Sequence, residues 1–213
     1  EGLLPIELSD KGRTKFLNHL ARIKEMWGVS QSFLVKSANN FPSDCGIASS
    51  SSSFAALTLA AVSELEKIKP GGDTSYVAMS KISRLGSGSS CRSFFEPWAA
   101  WETDGAEPWP GHFIDSNHSV MLLDSGKKDV SSSDAHVRVT TSPLFPKRLA
   151  NVKTRLEKIE IANAINDWNQ FCDLAIEEFE EMHQLFETSV PSFSYRNEKT
   201  MSVLKRLIDI NNG

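Results

Sequence analysis

The sequence lacks the features that mark membrane, disulfide-rich and nucleic-acid-binding proteins. Its longest apolar run, Phe54 to Val62, is interrupted by a threonine and is far too short to cross a bilayer, and the first residues show no signal-peptide pattern. The 3 cysteines are widely spaced without a Cys-x-x-Cys pair, which argues against a disulfide framework and a zinc site. Basic residues are scattered, so no nucleic-acid footprint is visible. We expect a cytoplasmic protein that binds neither membrane nor nucleic acid.

Two other patterns are too incomplete to predict chemistry. His112 and His118 lie in one turn-rich region, but no third ligand accompanies them, so we predict no metal site. Four glutamates crowd one amphipathic stretch, and this spacing is typical of the solvated face of a helix rather than of paired catalytic acids; they are Glu177, Glu178, Glu180 and Glu181.

A glycine- and serine-rich segment that runs directly into an apolar helix is the most informative feature present. The stretch 39–56 follows a predicted strand, Phe33 to Ser37, and runs into a helical stripe made of Phe54, Leu57, Ala61 and Leu65. Gly46 permits a close approach of the backbone, and the unpaired N–H groups of a first helical turn point at an anion. The segment therefore predicts a phosphate site, although it lacks the Gly-Lys-Ser/Thr of a Walker loop. A flexible serine-rich linker is the alternative interpretation.

Other elements place this segment in a chain with two parts. Ser9 is predicted to cap a helix that ends at Gly28, and a further helix through Val77 and Ile82 leads into a second Gly/Ser loop at 84–93. We place a domain boundary near residue 117.

Beyond this boundary, the apolar run 118–124 predicts a buried strand, and three apolar stripes predict three helices. The stripes are Leu149, Val152, Leu156 and Ile159; then Trp168, Phe171, Ala175, Phe179, Met182 and Phe186; then Met201, Leu204 and Ile208.

Three motifs in the same order give the chain a family resemblance. The first is Asn-Asn-Phe-Pro-x-x-x-Gly-Ile-Ala-Ser-Ser-x-Ser-x-Phe-Ala-Ala-Leu at 39–57. The second is Ser-Arg-Leu-Gly-Ser-Gly-Ser-Ser-Cys-Arg-Ser at 83–93, with the tail at 98–102. The third is Asp-Ser-Gly-Lys-Lys-Asp-Val-Ser-Ser-Ser at 124–133, followed by Thr-Thr-Ser-Pro-Leu at 140–144. Together they resemble the diphosphomevalonate decarboxylase family of the GHMP kinase superfamily over nearly the whole chain.

The resemblance implies an α+β, GHMP-kinase-like two-domain fold that is incomplete at both ends. Residues 1–117 would be part of the N-terminal nucleotide-binding domain, and residues 118–213 part of a ferredoxin-like C-terminal domain. The implied activity is the ATP- and Mg²⁺-dependent decarboxylation of mevalonate 5-diphosphate to isopentenyl diphosphate, with release of ADP, phosphate and CO₂, in isoprenoid biosynthesis. The resemblance also allows a homodimer, for which no segment identifies an interface.

The same resemblance implies roles for individual residues. Arg92 would be catalytic, because a planar guanidinium can grip the substrate carboxylate through two parallel hydrogen bonds. The other substrate-binding residues would be Ser87, Gly88, Ser89 and Ser132. ATP phosphates would be bound by Gly46, Ile47, Ala48, Ser49, Ser50, Ser51, Ser52 and Ser53.

The chain also departs from the family pattern. Ser133 stands where some bacterial relatives have arginine, and neither the family's opening Ala-Pro-x-Asn-Ile-Ala segment nor its late Asp-Ala-Gly-Pro-Asn segment is found here. Because the late segment carries the aspartate expected to act on the 3-hydroxyl, we expect residues 1–213 alone to be inactive. Two alternatives stay open: a mevalonate-type kinase that does not decarboxylate, and a non-catalytic nucleotide-binding or assembly protein. A kinase would have no need of Arg92 as a carboxylate clamp.

Overall fold

The computed structural model divides the chain into two compact units, residues 1–110 and residues 111–213. Each unit is considered by itself, and the boundary predicted near residue 117 stays a prediction. None of the helices it describes is long and apolar enough to cross a membrane. The described residues are 4–5, 8–41, 47–111, 117–123 and 129–211.

The first unit is built from three α-helices, one 3-10 helix and two short antiparallel strand pairs in the described part of the chain. In chain order these are β1 Leu4–Pro5, α1 Asp10–Trp27, β2 Ala38–Asn39, α2 Ser49–Ile68, α3 Tyr76–Arg84, the 3-10 helix Gly88–Phe94, β3 Ala99–Trp101 and β4 Ala106–Pro108. β1 pairs with β2, and β3 pairs with β4.

Local signals at both ends define α1. The Ser9 hydroxyl accepts a hydrogen bond from the Gly12 N–H at 3.2 Å, which satisfies a donor of the first turn. Gly28 ends the helix at φ 60°, a left-handed conformation that glycine adopts without a Cβ penalty. The helix predicted between Ser9 and Gly28 is therefore confirmed.

The core of the first unit lies between α1, α2 and α3. Ile23 and Trp27 of α1 pack with Val62 and Leu65 of α2 and with Met79 of α3, and all of them are buried. The predicted α2 stripe is confirmed, because each of its members is buried. This packing holds the C-terminal half of α2, the helix whose first turn carries the serines of the first Gly/Ser segment.

The strand predicted at Phe33 to Ser37 is wrong. Regular pairing occurs only at Ala38 and Asn39, opposite β1, and the Leu34 side chain is 85% exposed. A strand exists only where a neighbour supplies its hydrogen bonds, and an apolar run cannot specify that neighbour.

A buried hydroxyl of α3 helps to attach the hairpin β3–β4. Ser80 Oγ donates to the Ala106 carbonyl at 3.2 Å and accepts from the Ala106 N–H at 2.9 Å, and Ser80 is fully buried. A Cβ on Gly105 would lie 2.8 Å from Ser80 Oγ, so the hairpin turn approaches α3 too closely for a side chain.

The second unit is helical in its described part. Its elements are α4 Ser132–Arg138, the 3-10 helix Val139–Thr141, α5 Phe145–Ala164, α6 Trp168–Glu187 and α7 Glu198–Asn211. The three helices predicted from the stripes are confirmed as α5, α6 and α7. A small core joins Val130, Ala135 and Phe186, and the Tyr195 hydroxyl donates to the Val130 carbonyl at 2.8 Å.

The strand expected in this unit is wrong. Residues 118–123 form no strand, and Val120, Met121 and Leu122 are about half exposed; position 124 lies outside the described residues. The predicted helix α5 is present, but its apolar stripe is not buried as a unit, since Leu149 is 81% exposed. Nothing among the described residues offers these side chains an apolar surface to cover them.

An ion-pair network joins α5 to α6 instead. Arg148 and Arg155 contact Glu178 and Glu181, and Asn151 Nδ2 donates to Glu181 at 2.5 Å. Glu181 and both arginine side chains are less than one-fifth exposed. Burial raises the pKa of Glu181, but the hydrogen bonds from Asn151 and the two arginines outweigh it and hold the pKa below its usual range.

The expectation that the four glutamates of α6 form a solvated face is therefore corrected. Glu178 and Glu181 face α5, and Glu180 pairs with Arg196 at 2.8 Å. These contacts stabilise helix packing, and none of them suggests a catalytic role.

Candidate functional site

The N-terminus of α2 contains the residues predicted to bind ATP phosphates. Ala48 precedes the helix in a left-handed conformation at φ 54°, and no side chain caps the helix. In the described part of the chain the N–H groups of Ser49 and Ser50 have no acceptor, whereas Ser51 N–H donates to the Ala48 carbonyl at 2.8 Å. The first turn also carries no acidic residue. Gly46 lies outside the described residues.

Four of the other described helices begin differently, although α5, like α2, has no side-chain cap. Side chains of Ser9, Ser75, Ser131 and Asp167 cap α1, α3, α4 and α6 by accepting a hydrogen bond from the first turn. The serines of α2 do not cap it in this way, although Ser52 Oγ donates to the Ser49 carbonyl at 3.0 Å. The free donors at the start of α2 are therefore available to an external anion.

The second Gly/Ser segment, predicted to be a loop, is ordered as a 3-10 helix that begins at Gly88. Ser90 is fully buried and fixes it: its hydroxyl donates to the Ser87 carbonyl at 2.6 Å and accepts from Ser83 Oγ of α3 at 2.6 Å. Ser87 and Ser89 are half-buried, whereas Gly88 and Arg92 are exposed. The polar groups predicted to bind substrate thus lie on a segment that is held in place by the hydrogen bonds of two buried hydroxyls, those of Ser83 and Ser90.

A hydrogen bond between the hydroxyls of Ser51 and Ser89 joins the two Gly/Ser segments. Ser51 is buried in the first turn of α2, and Ser89 belongs to the 3-10 helix. The structure therefore brings a residue predicted to bind ATP into contact with one predicted to bind substrate. Two neighbouring anion sites made of neutral donors suit a reaction between two phosphate-bearing molecules.

The residues packed around Phe54 of α2 are close together, and some of them are polar. His19 of α1 hydrogen-bonds Thr58 of α2 through Nε2 at 2.9 Å, and its ring meets Phe54 edge-on. Burial, with a smaller contribution from the Arg22 charge, lowers the pKa of His19 to about 4. A Cβ on Gly86 would lie 2.9 Å from the His19 ring and still closer to Phe54, so only glycine fits at this turn.

Positively charged side chains surround the two segments. Lys15 Nζ lies 5.7 Å from the centroid of the Phe54 ring, and Arg22 Nη1 donates to the Leu85 carbonyl at 3.1 Å. Arg84 and Arg92 both lie over the ring of Trp101, with Cζ 5.6 Å and 4.6 Å from its centroid. These cations favour the approach of anionic ligands.

Ser132 lies in the second unit, as the first residue of α4. The preceding Ser131 caps this helix, and its hydroxyl also donates to Asp134 Oδ2 at 2.6 Å. Ser132 is exposed and makes no side-chain hydrogen bond with the other described residues. Its predicted contact with substrate remains a prediction.

Sequence reasoning did not single out Ser83, Ser90 or Trp101. The two serines are part of the second motif, but nothing in a serine-rich run shows which hydroxyls point inward. Trp101 belongs to the tail of the same motif. The turn residues that follow it, at 102–105, were the one signal in the sequence that could have drawn attention to it.

A cavity of about 480 Å³ lies near the C-terminal end of α2. It is lined by Trp27, Lys69 and Lys81 among others, and it includes none of the predicted site residues. We therefore place the candidate site at the Gly/Ser segments and not in this cavity.

Comparison with known proteins relates both parts of the chain to one enzyme. The family model of the diphosphomevalonate decarboxylase-like N-terminal domain matches residues 5–108, and that of the mevalonate 5-diphosphate decarboxylase C-terminal domain matches residues 119–213. The diphosphomevalonate decarboxylase of Ganoderma lucidum is 31% identical over 194 residues, which cover 85% of this chain and 47% of that protein. The chain spans about half the length of the curated relatives it matches.

Solved structures agree with this assignment. A mevalonate diphosphate decarboxylase from Legionella pneumophila superimposes with a TM-score of 0.90 at 38% identity, covering 97% of this chain and 66% of that one. MDDEF in complex with MVAPP, AMPPCP and magnesium gives a TM-score of 0.79 at 24% identity, over 100% of this chain and 68% of that one, which supports the fold. The predicted α+β, GHMP-kinase-like fold class is confirmed.

Proposed function

This chain belongs to the diphosphomevalonate decarboxylase family, and from that premise we propose that the full-length protein converts mevalonate 5-diphosphate to isopentenyl diphosphate. ADP, phosphate and CO₂ are the other products. Because the chain spans about half the length of its curated relatives, the activity is proposed for the full-length protein and not for residues 1–213 alone. The observation that carries the proposal is the hydroxyl contact between Ser51 and Ser89.

That contact puts two anion-binding segments side by side within one unit. The uncapped first turn of α2 offers backbone N–H groups and serine hydroxyls to one set of phosphates. The 3-10 helix offers Ser87, Gly88 and Ser89 to another set, and Ser132 is proposed as a further contact with the substrate phosphates. Both segments consist of neutral donors, which bind phosphate without the strong product retention that a lysine cluster would cause.

Arg92 supplies the charge that distinguishes a decarboxylase from a kinase. Its guanidinium is exposed at the end of the serine-rich segment, and it can bind a carboxylate through two parallel hydrogen bonds. A carboxylate held in this way keeps its C–C bond oriented while the neighbouring oxygen departs as phosphate. The electron pair of the breaking C–C bond then becomes the new double bond, and CO₂ leaves.

The residues present fit the phosphates of ATP and, less fully, Mg²⁺. ATP supplies the phosphate that converts the tertiary 3-hydroxyl into a leaving group, and Mg²⁺ offsets phosphate charge. Serine hydroxyls in the first turn of α2 can provide one oxygen ligand to the ion, which keeps most of its ligands as water and phosphate oxygens. Ile47 and Ala48 would contribute backbone to the nucleotide phosphates, as would Gly46.

The test of the proposed function is an assay of the full-length protein with Mg²⁺, ATP and mevalonate 5-diphosphate that records ADP, phosphate and CO₂ together. Equal release of all three supports the decarboxylase. ADP without CO₂ would instead identify a mevalonate-type kinase, and the absence of all products would identify a non-catalytic binding protein. Turnover by residues 1–213 alone would contradict the expectation that this segment is inactive.

The variant Arg92→Lys tests the clamp directly. A lysine keeps the charge but loses the paired donors, so kcat/KM should fall by about 100-fold or more. Arg13→Lys is the matched control, since Arg13 is exposed on α1 and its side chain has no hydrogen bond or ion pair with the described site residues. Equal activity of Arg92→Lys and the control would remove Arg92 from the mechanism.

Cytoplasmic location, a homodimer and the absence of nucleic-acid or membrane partners are supported by the sequence pattern and the resemblance alone. Within this proposal the partner that matters is the small-molecule substrate, mevalonate 5-diphosphate.

A further inference from the structure

Trp101 stands between two arginines at the end of β3. Arg92 Cζ lies 4.6 Å from the centroid of its ring, and Arg84 Cζ lies 5.6 Å from it. A cation within about 6 Å of an indole face is attracted by the ring electrons, and tryptophan is the most favourable partner for this interaction. Although both arginines make the contact, the rest of their environment differs.

The Arg84 side chain is held in place by hydrogen bonds to backbone carbonyls. Its Nη1 donates to the Glu102 carbonyl at 2.8 Å and also to the Thr103 carbonyl, so it ties α3 to the turn that follows β3. Trp101 itself pairs with Ala106 in the hairpin, and Ser80 of α3 holds Ala106 by both backbone groups. The indole ring is therefore carried by a hairpin that α3 anchors at two points.

Arg92 has no comparable anchor. Its side chain is exposed, and among the described residues no carboxylate or carbonyl oxygen is paired with its guanidinium. The ring of Trp101 is the partner that the structure provides. Without that contact a long arginine side chain would sample many rotamers, and a bound carboxylate would have to order it.

The distance of 4.6 Å from Arg92 Cζ to the ring centroid allows the guanidinium to stack on the indole, and stacking would leave its function intact. The five N–H donors of arginine lie in the guanidinium plane, whereas a stacked ring occupies the face. The ring also lies beside Gly88, where a Cβ would be 3.5 Å from Trp101 Cζ2. Trp101 therefore touches both the segment proposed to bind substrate phosphates and the side chain proposed to bind its carboxylate.

We propose that Trp101 is a positioning residue that holds the Arg92 guanidinium by its face, so that the in-plane donors are ready for the substrate carboxylate. The inference rests on the proposed function for the identity of the carboxylate. The contact itself is independent of any substrate and can be tested without one.

The first experiment measures the contact in the full-length protein, free of ligands. In protein labelled with ¹⁵N- and ¹³C-arginine, the indole ring current should shift the Arg92 side-chain resonances, and Trp101→Leu should abolish the shift. Trp98→Leu is the matched control, because Trp98 is half-buried just before the same strand and meets the ring of Trp109 edge-on instead. Unshifted Arg92 resonances in the wild-type protein would overturn the proposal.

The second experiment compares two ligands by calorimetry. Mevalonate 5-diphosphate carries the carboxylate, and isopentenyl diphosphate has the same diphosphate without it. Trp101→Leu should weaken binding of mevalonate 5-diphosphate by about 3- to 30-fold and leave binding of isopentenyl diphosphate unchanged. Trp101→Phe should restore part of the loss, because a phenyl ring retains a weaker cation–π contact, and Trp98→Leu should resemble the wild type.

Equal weakening of both ligands by Trp101→Leu would overturn the positioning role, because it would show a general effect on the segment. Failure of the wild-type protein to prefer the carboxylate-bearing ligand would instead count against the proposed function. In that case the resonance measurement still decides whether Trp101 holds Arg92.

Discussion

Helices α2 and α5 are both 20 residues long, yet they bury different kinds of side chain. α2 buries Phe54, Leu57 and Leu65 against α1 and α3, and the buried Thr58 beside them is hydrogen-bonded. α5 leaves Leu149 and Leu156 exposed and contacts α6 through arginines. An apolar stripe on a helix thus shows which face can be buried, and only a neighbour decides whether it is.

The largest expected effect is on the free energy of unfolding, when a leucine of each apolar stripe is replaced by alanine. Leu65→Ala should lower the free energy of unfolding by about 3 kcal/mol or more, since it leaves a cavity in a packed core. Leu149→Ala, on the equally long α5, should change it by less than about 0.5 kcal/mol because the side chain is mostly exposed. Urea unfolding followed by circular dichroism measures both. Similar losses would show that the stripe of α5 is covered in solution.

Acid should weaken the first unit through His19. Its pKa is about 4 in the folded chain against 6.5 ordinarily, so between these values the unfolded chain binds a proton that the folded chain does not. The stabilisation is complete above pH 6.5 and is lost as the pH falls toward 4, by about 3 kcal/mol in total. Hydrogen exchange of the α2 amides between pH 4 and 7 would measure it, after correction for the intrinsic exchange rate.

The variant His19→Gln is the control for this pH dependence. Glutamine can still hydrogen-bond Thr58 but does not titrate, so the slope of α2 stability against pH should flatten. An unchanged slope in the variant would assign the acid sensitivity to other groups.

The stability of the second unit should depend on its ion pairs, whereas that of the first unit depends on the packing of buried apolar side chains. Arg155 is 12% exposed and contacts Glu178 and Glu181, so Arg155→Ala leaves two carboxylates with fewer partners and should cost about 2 kcal/mol. Thermal unfolding in low salt measures the change. In 1 M NaCl the wild-type protein should lose more stability than the variant, because salt screens the network.

Lys67→Ala is the matched control for the charge effect. Lys67 pairs with Glu64 at 2.6 Å on the exposed surface of α2, where such pairs contribute less than about 0.5 kcal/mol. A cost as large as that of Arg155→Ala would show that exposure does not distinguish the two pairs.

The smallest expected effect concerns the hydroxyl contact at the candidate site. Ser51→Ala should destabilise the junction of α2 with the 3-10 helix by about 1 kcal/mol, because Ser89 loses its partner. The amides of residues 88–94 should then exchange faster with solvent. Ser50→Ala, on the exposed side of the same turn, should leave that exchange unchanged.

What could be predicted from the sequence was local in origin. The ends of α1 depend on Ser9 and Gly28, which act within one turn of the helix. The strand expected at 33–37 failed because strand formation depends on a distant partner, here β1, whose sequence gives no pairing signal. The glutamates of α6 were misplaced for the same reason, since their arginine partners lie 16 or more residues away in the chain.

For the candidate site, too, local features could be predicted from the sequence and contacts between distant residues could not. The residue types at 46–53 and 87–92 indicated phosphate and carboxylate chemistry through the family resemblance. Their adjacency could not be predicted, because Ser51 and Ser89 are 38 residues apart and meet only after α1, α2 and α3 have packed. The contact of Trp101 with Arg92 depends in addition on how the hairpin is attached to α3, which no short motif encodes.

The uncapped start of α2 has a consequence for the rate of binding. At the capped helices an incoming anion would have to displace a side-chain oxygen, whereas the Ser49 and Ser50 N–H groups, which follow the left-handed turn at Ala48, have no acceptor among the described residues. A ligand arriving there displaces none of the described side chains and meets a helical turn that is already formed. Association of an anion with α2 should therefore be governed by diffusion and long-range attraction, with selectivity expressed in how slowly the correct ligand leaves.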